Sequence, residues 1–205
     1  EALDARLRPD LPHVRTLPQG ARPHDTEARL VEAGFRPVGW DRAMVLTDTG
    51  PALALARTME KRPGVRLEHV IAGATSRAMD VARVLVEAFD VETDRTPGLA
   101  AESLAAARRP GGAVLLLLDN DRPVAAARRV TLDGATYLSS IGTIPAARGL
   151  GYGSLLTAVA INEALGEGTG LVHLLAEAAM EDAIRLYARL GFEAVGEPIA
   201  DLLLR

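Results

Sequence analysis

Apolar positions along the chain repeat with two periods, one typical of helices and the other of strands. A spacing of three to four residues predicts a helix that begins with Ser76 as its N-cap and ends near Phe89, and another over 181–190. Unbroken apolar runs predict buried strands over 112–119 and 171–177. Further strands are predicted over 65–71, 123–132, 136–143, 192–196 and 199–204, and further helices over 98–108 and from the glycines at 149–153 to about 165. Helices interleaved with hairpins predict a mixed α/β sheet flanked by helices.

The first sixty residues have a weaker pattern, interrupted by prolines at 9, 12, 18, 23 and 37. They predict a helix over 25–33, a strand over 35–38 or 44–46, and a connecting helix over 52–62 that Pro63-Gly64 ends. The segment GFRPVG at 34–39 resembles GFEAVG at 191–196, and each follows a short helical stretch. We therefore predict an N-terminal extension over residues 1–62, a degenerate half-repeat, and a main domain over residues 63–205.

Composition narrows the class of protein. The 205 residues are 48% hydrophobic, which is enough for a sizeable core, and the net charge of −4 argues against nucleic acid or an anionic membrane as the main partner. No apolar run approaches the ~20 residues that cross a bilayer. Cysteine is absent, which excludes disulfides and a catalytic thiol and fits a reducing cytoplasm. We expect a cytoplasmic protein that is a monomer or a homodimer and holds no metal.

Three alternating glycines in ARGLGYG, at 149, 151 and 153, stand between a predicted strand and a predicted helix. The first turn of a helix has backbone N–H groups without partners, and glycines there let a phosphate approach them. The spacing G-x-G-x-G excludes the dinucleotide fingerprint G-x-G-x-x-G, and no Gly-Lys-Ser/Thr is present to form a P-loop. Isolated glycines usually mark a flexible turn, but this context favours a site for a pyrophosphate.

Two motifs together resemble the GCN5-related N-acetyltransferase (GNAT) superfamily. The stretch from Arg148 to Gly153 fits its acetyl-CoA loop, Arg/Gln-x-x-Gly-x-Gly/Ala, and Pro145 stands where the family commonly has a proline. The second motif, AIRLYARLGF at 183–192, follows one helix and one strand later, as in the family. The resemblance covers about residues 65–205 and implies an α/β (α+β) fold with a mixed, mostly antiparallel sheet flanked by helices. Met180 departs from the family, which often has Asn at that position.

The resemblance also implies roles for particular residues. Acetyl-CoA is the expected co-substrate, and its pantetheine arm would lie where the strands over 136–143 and 171–177 diverge. The residues expected to bind it are Ile141, Gly142 and Thr143 at the arm and Arg148, Gly149, Leu150, Gly151, Tyr152, Gly153 and Ser154 at the pyrophosphate. A backbone N–H near Thr143 is the expected oxyanion donor, and Tyr187 is the expected general acid.

The general base is less well defined by the sequence. Glu177, Glu181 and His173 are all candidates, and we take Glu177, at the end of its strand, as the expected catalytic residue. The expected function is transfer of an acetyl group from acetyl-CoA to a primary amine of a small molecule. A protein or peptide acceptor is one alternative. A non-catalytic acyl-CoA-binding module is another, because Met180 removes a polar group.

Overall fold

The computed structural model describes residues 13–17 and 26–204, which form two compact units. The larger unit comprises Val45–Leu174 and Leu186–Glu193. The smaller unit comprises the described residues up to Met44, together with Leu175–Arg185 and the described residues from Ala194 onward. The predicted domain division at residue 62 stays a prediction, and residues 1–12 and 18–25 of the predicted extension lie outside the described residues.

The described elements alternate between strands and helices, as the sequence predicts. The strands are β1 (His13–Leu17), β2 (Arg36–Leu46), β3 (Val65–His69), β4 (Gly112–Asp119), β5 (Arg122–Leu132), β6 (Ala135–Thr143), β7 (Leu171–Glu177), β8 (Phe192–Ala194) and β9 (Ile199–Leu204). The helices are α1 (Thr26–Glu32), α2 (Gly50–Ala56), α3 (Thr75–Phe89), α4 (Thr96–Arg108), α5 (Tyr152–Gly166) and α6 (Glu181–Arg189).

The sheet of the larger unit runs in the order β7-β6-β5-β4-β3. Its pairings are antiparallel except for the parallel pair of β6 and β7. In β4 the four consecutive residues Leu115 to Leu118 are completely buried. Because successive side chains of a strand point to opposite faces, both faces of the sheet are covered. Helices α3 and α5 both pack on this sheet. The predicted mixed, mostly antiparallel sheet flanked by helices is confirmed.

In the smaller unit, β9 pairs antiparallel with β1 on one side and with β2 on the other. The two segments GFRPVG and GFEAVG begin with the same local structure. Gly34 follows α1 with φ of 94°, and Gly191 follows α6 with φ of 96°. The next residue, Phe35 or Phe192, is buried and continues into a strand. Each glycine thus ends a helix in the left-handed conformation, and each phenylalanine anchors the strand that follows.

Three local expectations were wrong. The N-cap of α3 is Ala74 rather than Ser76, and no side chain caps that end. The connecting helix ends at Ala56 instead of continuing to 62, because the hydroxyl of Thr58 bonds the carbonyl of Leu55 at 2.7 Å and a separate 3-10 turn follows. The two alternative short strands near 35–38 and 44–46 are one strand, β2, and β1 was not predicted at all.

Candidate functional site

Strand β6 has two irregularities close to its C-terminal end. Its parallel ladder with β7 stops at the pair Leu138 and Leu174, so its last five residues are not part of that ladder. On the other side, its register with β5 shifts opposite Ala127, and Ser140 adopts a left-handed φ of 50°. Such a bulge bends a strand and redirects its backbone groups. The parallel ladder thus ends within the two strands that the family resemblance implies should diverge.

A short 3-10 turn after β6 leads into residues 148–154, which we name the glycine loop. Its last three residues are the first turn of α5, which begins at Tyr152 with Gly151 as the N-cap and no capping side chain. Within the described part of the chain, the backbone N–H groups of residues 149–154 have no hydrogen-bond acceptor. Arg148, Gly149 and Leu150 are exposed to solvent. Six consecutive donors at the positive end of a helix dipole therefore form a site suited to an anion.

The glycines of this loop are required by its backbone and by its surroundings. Gly149 and Gly151 have φ of 78° and 81°, a region that residues with a side chain rarely adopt. A Cβ on Gly153 would lie 3.0 Å from Oγ1 of Thr143, whereas one on Gly149 would point into open space. The loop is thus a cradle of bare amides that side chains would fill. This arrangement fits the diphosphate of coenzyme A.

Arg148, which the sequence predicts as a cation for the pyrophosphate, has its guanidinium bonded to main-chain carbonyls. Its Nη2 donates to the carbonyl of Ala88 at 2.7 Å, and its Nε donates to that of Thr143 at 3.4 Å. These bonds connect the end of α3 to the end of β6. Part of the donor capacity of Arg148 therefore holds the loop against its neighbours.

Tyr152 and Arg62 fix the loop from the side of β4. The hydroxyl of Tyr152, a buried residue, donates to Oδ2 of Asp119 at 2.7 Å. This hydrogen bond, with burial, raises the pKa of Tyr152, and nearby Arg62 opposes the rise. Nη1 of Arg62 donates to the carbonyl of Leu150 at 3.3 Å. Neither Arg62 nor Asp119 was predicted, because no sequence motif marks either residue.

The other residues predicted to bind the cofactor occupy different environments. The missing side chain of Gly142 allows close packing, since a Cβ there would lie 2.8 Å from the Cβ of Ala88 on α3. Ile141 and Ser154 are half-buried, and Leu150 is 60% exposed. The structure brings the predicted arm-binding and pyrophosphate-binding residues together within the larger unit. Their roles toward the cofactor stay predictions.

Tyr187 lies on α6, in the part of that helix that belongs to the larger unit. It is 8% exposed, and its ring meets Phe192 edge to face with the centroids 6.0 Å apart. Burial, with a smaller contribution from Tyr137, raises the pKa of Tyr187 to about 12. Among the described residues its hydroxyl has no hydrogen-bond partner. Tyr187 is therefore a protonated phenol at neutral pH, and its role as a general acid stays a prediction.

The three candidates for a general base are in different surroundings. His173 stacks on Tyr137 with the ring centroids 5.2 Å apart, and burial lowers the pKa of His173. Glu181 is exposed and bonds Arg185 at 2.9 Å. Glu177 is exposed at the end of β7 and belongs to the smaller unit.

Glu177 belongs to a group of carboxylates in the smaller unit. Burial raises the pKa of Asp41, and the charges of Asp201 and Glu177 raise that pKa further. The charges of Asp201 and Glu177 thus act on Asp41 in the same direction as its burial, and all three make its ionised form less favourable.

A cavity of about 550 Å³ lies at the other end of α5 from the glycine loop. Arg129, His69, Glu163 and Glu167 are among the residues that line it. Arg129 is buried and forms a bidentate ion pair with Glu167, while Nε2 of His69 lies 3.0 Å from Glu163. These side chains bond one another, and none of the predicted site residues lines the cavity.

Two further classes of feature are absent from the described residues. No group of three or more His, Cys, Asp or Glu side chains in that part of the chain has an arrangement that could bind a metal ion. No helix in the same part combines the length and hydropathy needed to cross a membrane.

Comparison with known proteins gives one family match and many similar structures. Residues 79–192, more than half of the chain, match the acetyltransferase (GNAT) family model. Comparison with curated proteins finds no match. The chain is similar to the crystal structure of a putative acetyltransferase from the GNAT family of Novosphingobium aromaticivorans, at 18% identity and a TM-score of 0.60, over 94% of this chain and 72% of that one.

Two further solved structures are GCN5-related N-acetyltransferases. The one from Kribbella flavida is 27% identical with a TM-score of 0.56, over 87% of this chain and 63% of that chain. The one from Sphaerobacter thermophilus is 20% identical with a TM-score of 0.63, over 95% of this chain and 59% of that chain. The chain therefore spans less than two thirds of the length of these two proteins.

Proposed function

Because the chain belongs to the GNAT family of acetyltransferases, we propose that it transfers an acetyl group from acetyl-CoA to a primary amine of a small molecule. The observation that carries this proposal is the run of six backbone N–H groups, residues 149–154, without acceptors among the described residues. The 27% identity to a GCN5-related N-acetyltransferase supports an amine as the acceptor.

In this proposal the larger unit holds the cofactor. The N–H groups of the glycine loop bind the diphosphate, and the backbone of Ile141 to Thr143, beyond the parallel ladder, binds the pantetheine arm by β-augmentation. Preformed donors of this kind require no reorganisation when the anion arrives. When bound, acetyl-CoA supplies an acetyl group that is activated as a thioester.

Two groups of the chain then act on the reacting atoms. Tyr187 keeps its proton over the physiological pH range, because its pKa is about 12, and donates that proton toward the departing sulfur. The backbone N–H near Thr143 donates toward the carbonyl oxygen as it gains charge. Neither group has to lose a proton before the reaction begins.

The amine acceptor must lose a proton before it can attack. A primary amine has a pKa of ~10.4 and is therefore mostly protonated at neutral pH. Glu177, the residue that the sequence predicts as the base, is exposed in the smaller unit, and its part in the reaction stays a prediction.

The proposal is tested by binding and turnover of the purified protein. Calorimetry should show that CoA binds, and a thiol-release assay should show turnover of acetyl-CoA with members of a panel of small primary amines. Turnover only with peptides would show that the acceptor is a protein or peptide rather than a small molecule. Tight binding of CoA without turnover of any acceptor would favour a non-catalytic module, and no binding of CoA would refute the proposal.

A pair of glycine variants shows whether the glycine loop is the binding site. Gly149 and Gly168 both have positive φ, at 78° and 85°, and a Cβ on either would meet no atom within 4 Å. Gly149→Ala and Gly168→Ala should therefore cost similar stability, about 1–2 kcal/mol each. Only Gly149→Ala should weaken CoA binding. Equal affinities in the two variants would place the cofactor elsewhere.

A further inference from the structure

Arg62 lies against the glycine loop, although it precedes the family match, which begins at residue 79. Its Nη1 donates to the carbonyl of Leu150 at 3.3 Å. Its two terminal nitrogens lie 3.6 and 3.8 Å from the position that a Cβ on Gly151 would occupy. The guanidinium therefore faces the left-handed glycine at which α5 begins.

The charge of Arg62 is not neutralised by an ion pair with any residue that the structure describes. The bond to Leu150 uses one of the five N–H donors of the guanidinium. Asp119, which contacts Tyr152 from the same side, has its Oδ2 bonded to Tyr152 and its Oδ1 bonded to Asn120. Arg62 thus retains both charge and donors for a ligand.

A second set of contacts holds the backbone of Arg62 in place. Its own N–H donates to the carbonyl of Met59 at 3.1 Å, and its carbonyl accepts from Val65 at 3.2 Å. Nearby, the N–H of Asn120 donates to the carbonyl of Gly64 at 2.9 Å, and a Cβ on Gly64 would lie 2.6 Å from Oδ1 of Asn120. The turn between β4 and β5 thus holds the turn that carries Arg62, so the backbone at Arg62 is fixed before any ligand binds.

We propose that Arg62 is a further ligand of the coenzyme A diphosphate, supplied by a segment outside the family-matched region. This inference rests on the proposed function. A guanidinium presents two parallel N–H donors that match a phosphate group, and this one lies beside the unpaired amides of the loop. Arg148, the arginine of the motif, bonds the carbonyls of Ala88 and Thr143. Those bonds occupy part of the guanidinium of Arg148. Arg62 therefore supplies the cation for the diphosphate.

The test measures CoA binding by calorimetry in the full chain carrying Arg62→Gln. A hydrogen bond to a charged group is strong enough that its loss should raise the Kd for CoA about 10- to 100-fold. Arg83→Gln is the matched control, because it removes the same charge from an exposed position on α3 where Arg83 bonds Asp80. The control should leave the Kd unchanged, and an unchanged Kd in Arg62→Gln would overturn the inference.

Two analogues identify the group that Arg62 contacts. Dephospho-CoA keeps the diphosphate, so Arg62→Gln should raise its Kd by the same factor as the Kd for CoA. Pantetheine has no phosphate, and its Kd should be the same in the variant and the wild type. A loss confined to CoA would assign Arg62 to the 3′-phosphate and overturn the diphosphate assignment. An equal loss with pantetheine would show a general distortion of the site and would overturn it as well.

The failure of this inference differs from the failure of the proposed function. If the wild-type protein does not bind CoA, the proposed function fails, whereas normal binding in Arg62→Gln refutes only the role of Arg62. If Arg62→Gln does not fold, Arg62→Lys takes its place, since it keeps the charge and loses the paired donors. The lysine variant should raise the Kd about threefold or more, and an unchanged Kd would count against the inference.

Discussion

The substitution Tyr187→Phe tests the chemical step of the proposed function with little change to the structure. It removes one oxygen and leaves the ring that packs against Phe192 with centroids 6.0 Å apart. Among the described residues that oxygen has no hydrogen-bond partner, so none is left unpaired. Stability should therefore change by less than about 1 kcal/mol.

The expected loss of turnover follows from the state of the phenol. With a pKa of about 12, Tyr187 is ionised in only about one molecule in ten thousand at pH 8. Nearly every molecule therefore carries the proton, and the loss of a general acid typically reduces the rate by about 10²- to 10⁴-fold. The kcat should fall by this factor. In the wild type, kcat should not decline through ionisation of Tyr187 until the pH approaches 12.

The assay compares kcat and the Kd for CoA in three proteins. Tyr187→Phe should lower kcat and leave the Kd unchanged. Tyr152→Phe removes the same atom, but there the hydroxyl bonds Asp119 at 2.7 Å and holds the glycine loop. That control should raise the Kd and change kcat only slightly. Unchanged kcat in Tyr187→Phe, or a matching loss of CoA affinity, would refute the assignment of Tyr187 as general acid.

Three further predictions concern stability and are tested by thermal denaturation. Gly142→Ala should destabilise the protein by about 1–3 kcal/mol, because the new Cβ would lie 2.8 Å from that of Ala88, and an unchanged Tm would contradict this packing. Met180→Asn should stabilise the protein by up to about 1 kcal/mol, because asparagine is a better N-cap residue than methionine. Met180 occupies the N-cap position of α6, and its carbonyl accepts the first bonds of that helix. A lower Tm in this variant would contradict the capping argument. The hydrogen bond to Glu163 raises the pKa of His69 above 6.5, so its stabilisation is fully present below about pH 6.5 and is lost as the pH rises through the folded-state pKa. In Glu163→Gln the fall of Tm as the pH rises through the pKa of His69 should disappear. If that fall persists, it is caused by another titratable group.

The elements predicted best are those whose sequence pattern and burial agree. The apolar run of β4 is buried throughout, and β7 has the predicted bounds. Asp133-Gly134, a sequence typical of hairpin turns, joins β5 to β6 with φ of 49° and 77°. Sequence reasoning failed where a local alternative was available. The hydroxyl of Thr58 bonds a carbonyl of α2 and accompanies the early end of that helix, and nothing in the apolar pattern reveals such a bond.

The glycine loop could be predicted because its chemistry is local. Alternating glycines, a helix start and a preceding strand are all visible within about ten residues of sequence. The side chains around the loop could not be predicted in the same way. Arg62 contacts Leu150 from 88 positions away, and Asp119 contacts Tyr152 from 33 positions away. The pairing of β3 with β4 places Val65, close to Arg62 in the chain, opposite Asp119, and the packing of α5 on β4 brings Tyr152 to Asp119.

The two arginines at the loop show how sequence and tertiary structure contribute different information. The motif identifies Arg148 by its position before the glycines, and its guanidinium bonds two carbonyls in the folded chain. Arg62 belongs to no motif, yet among the described residues it forms no ion pair, and it lies beside unpaired amides. A motif specifies which residue occupies a position, whereas the charge available to a ligand depends on the partners that the fold provides. For this reason anion binding at the loop should depend on both arginines, and a variant of either should be interpreted from its contacts.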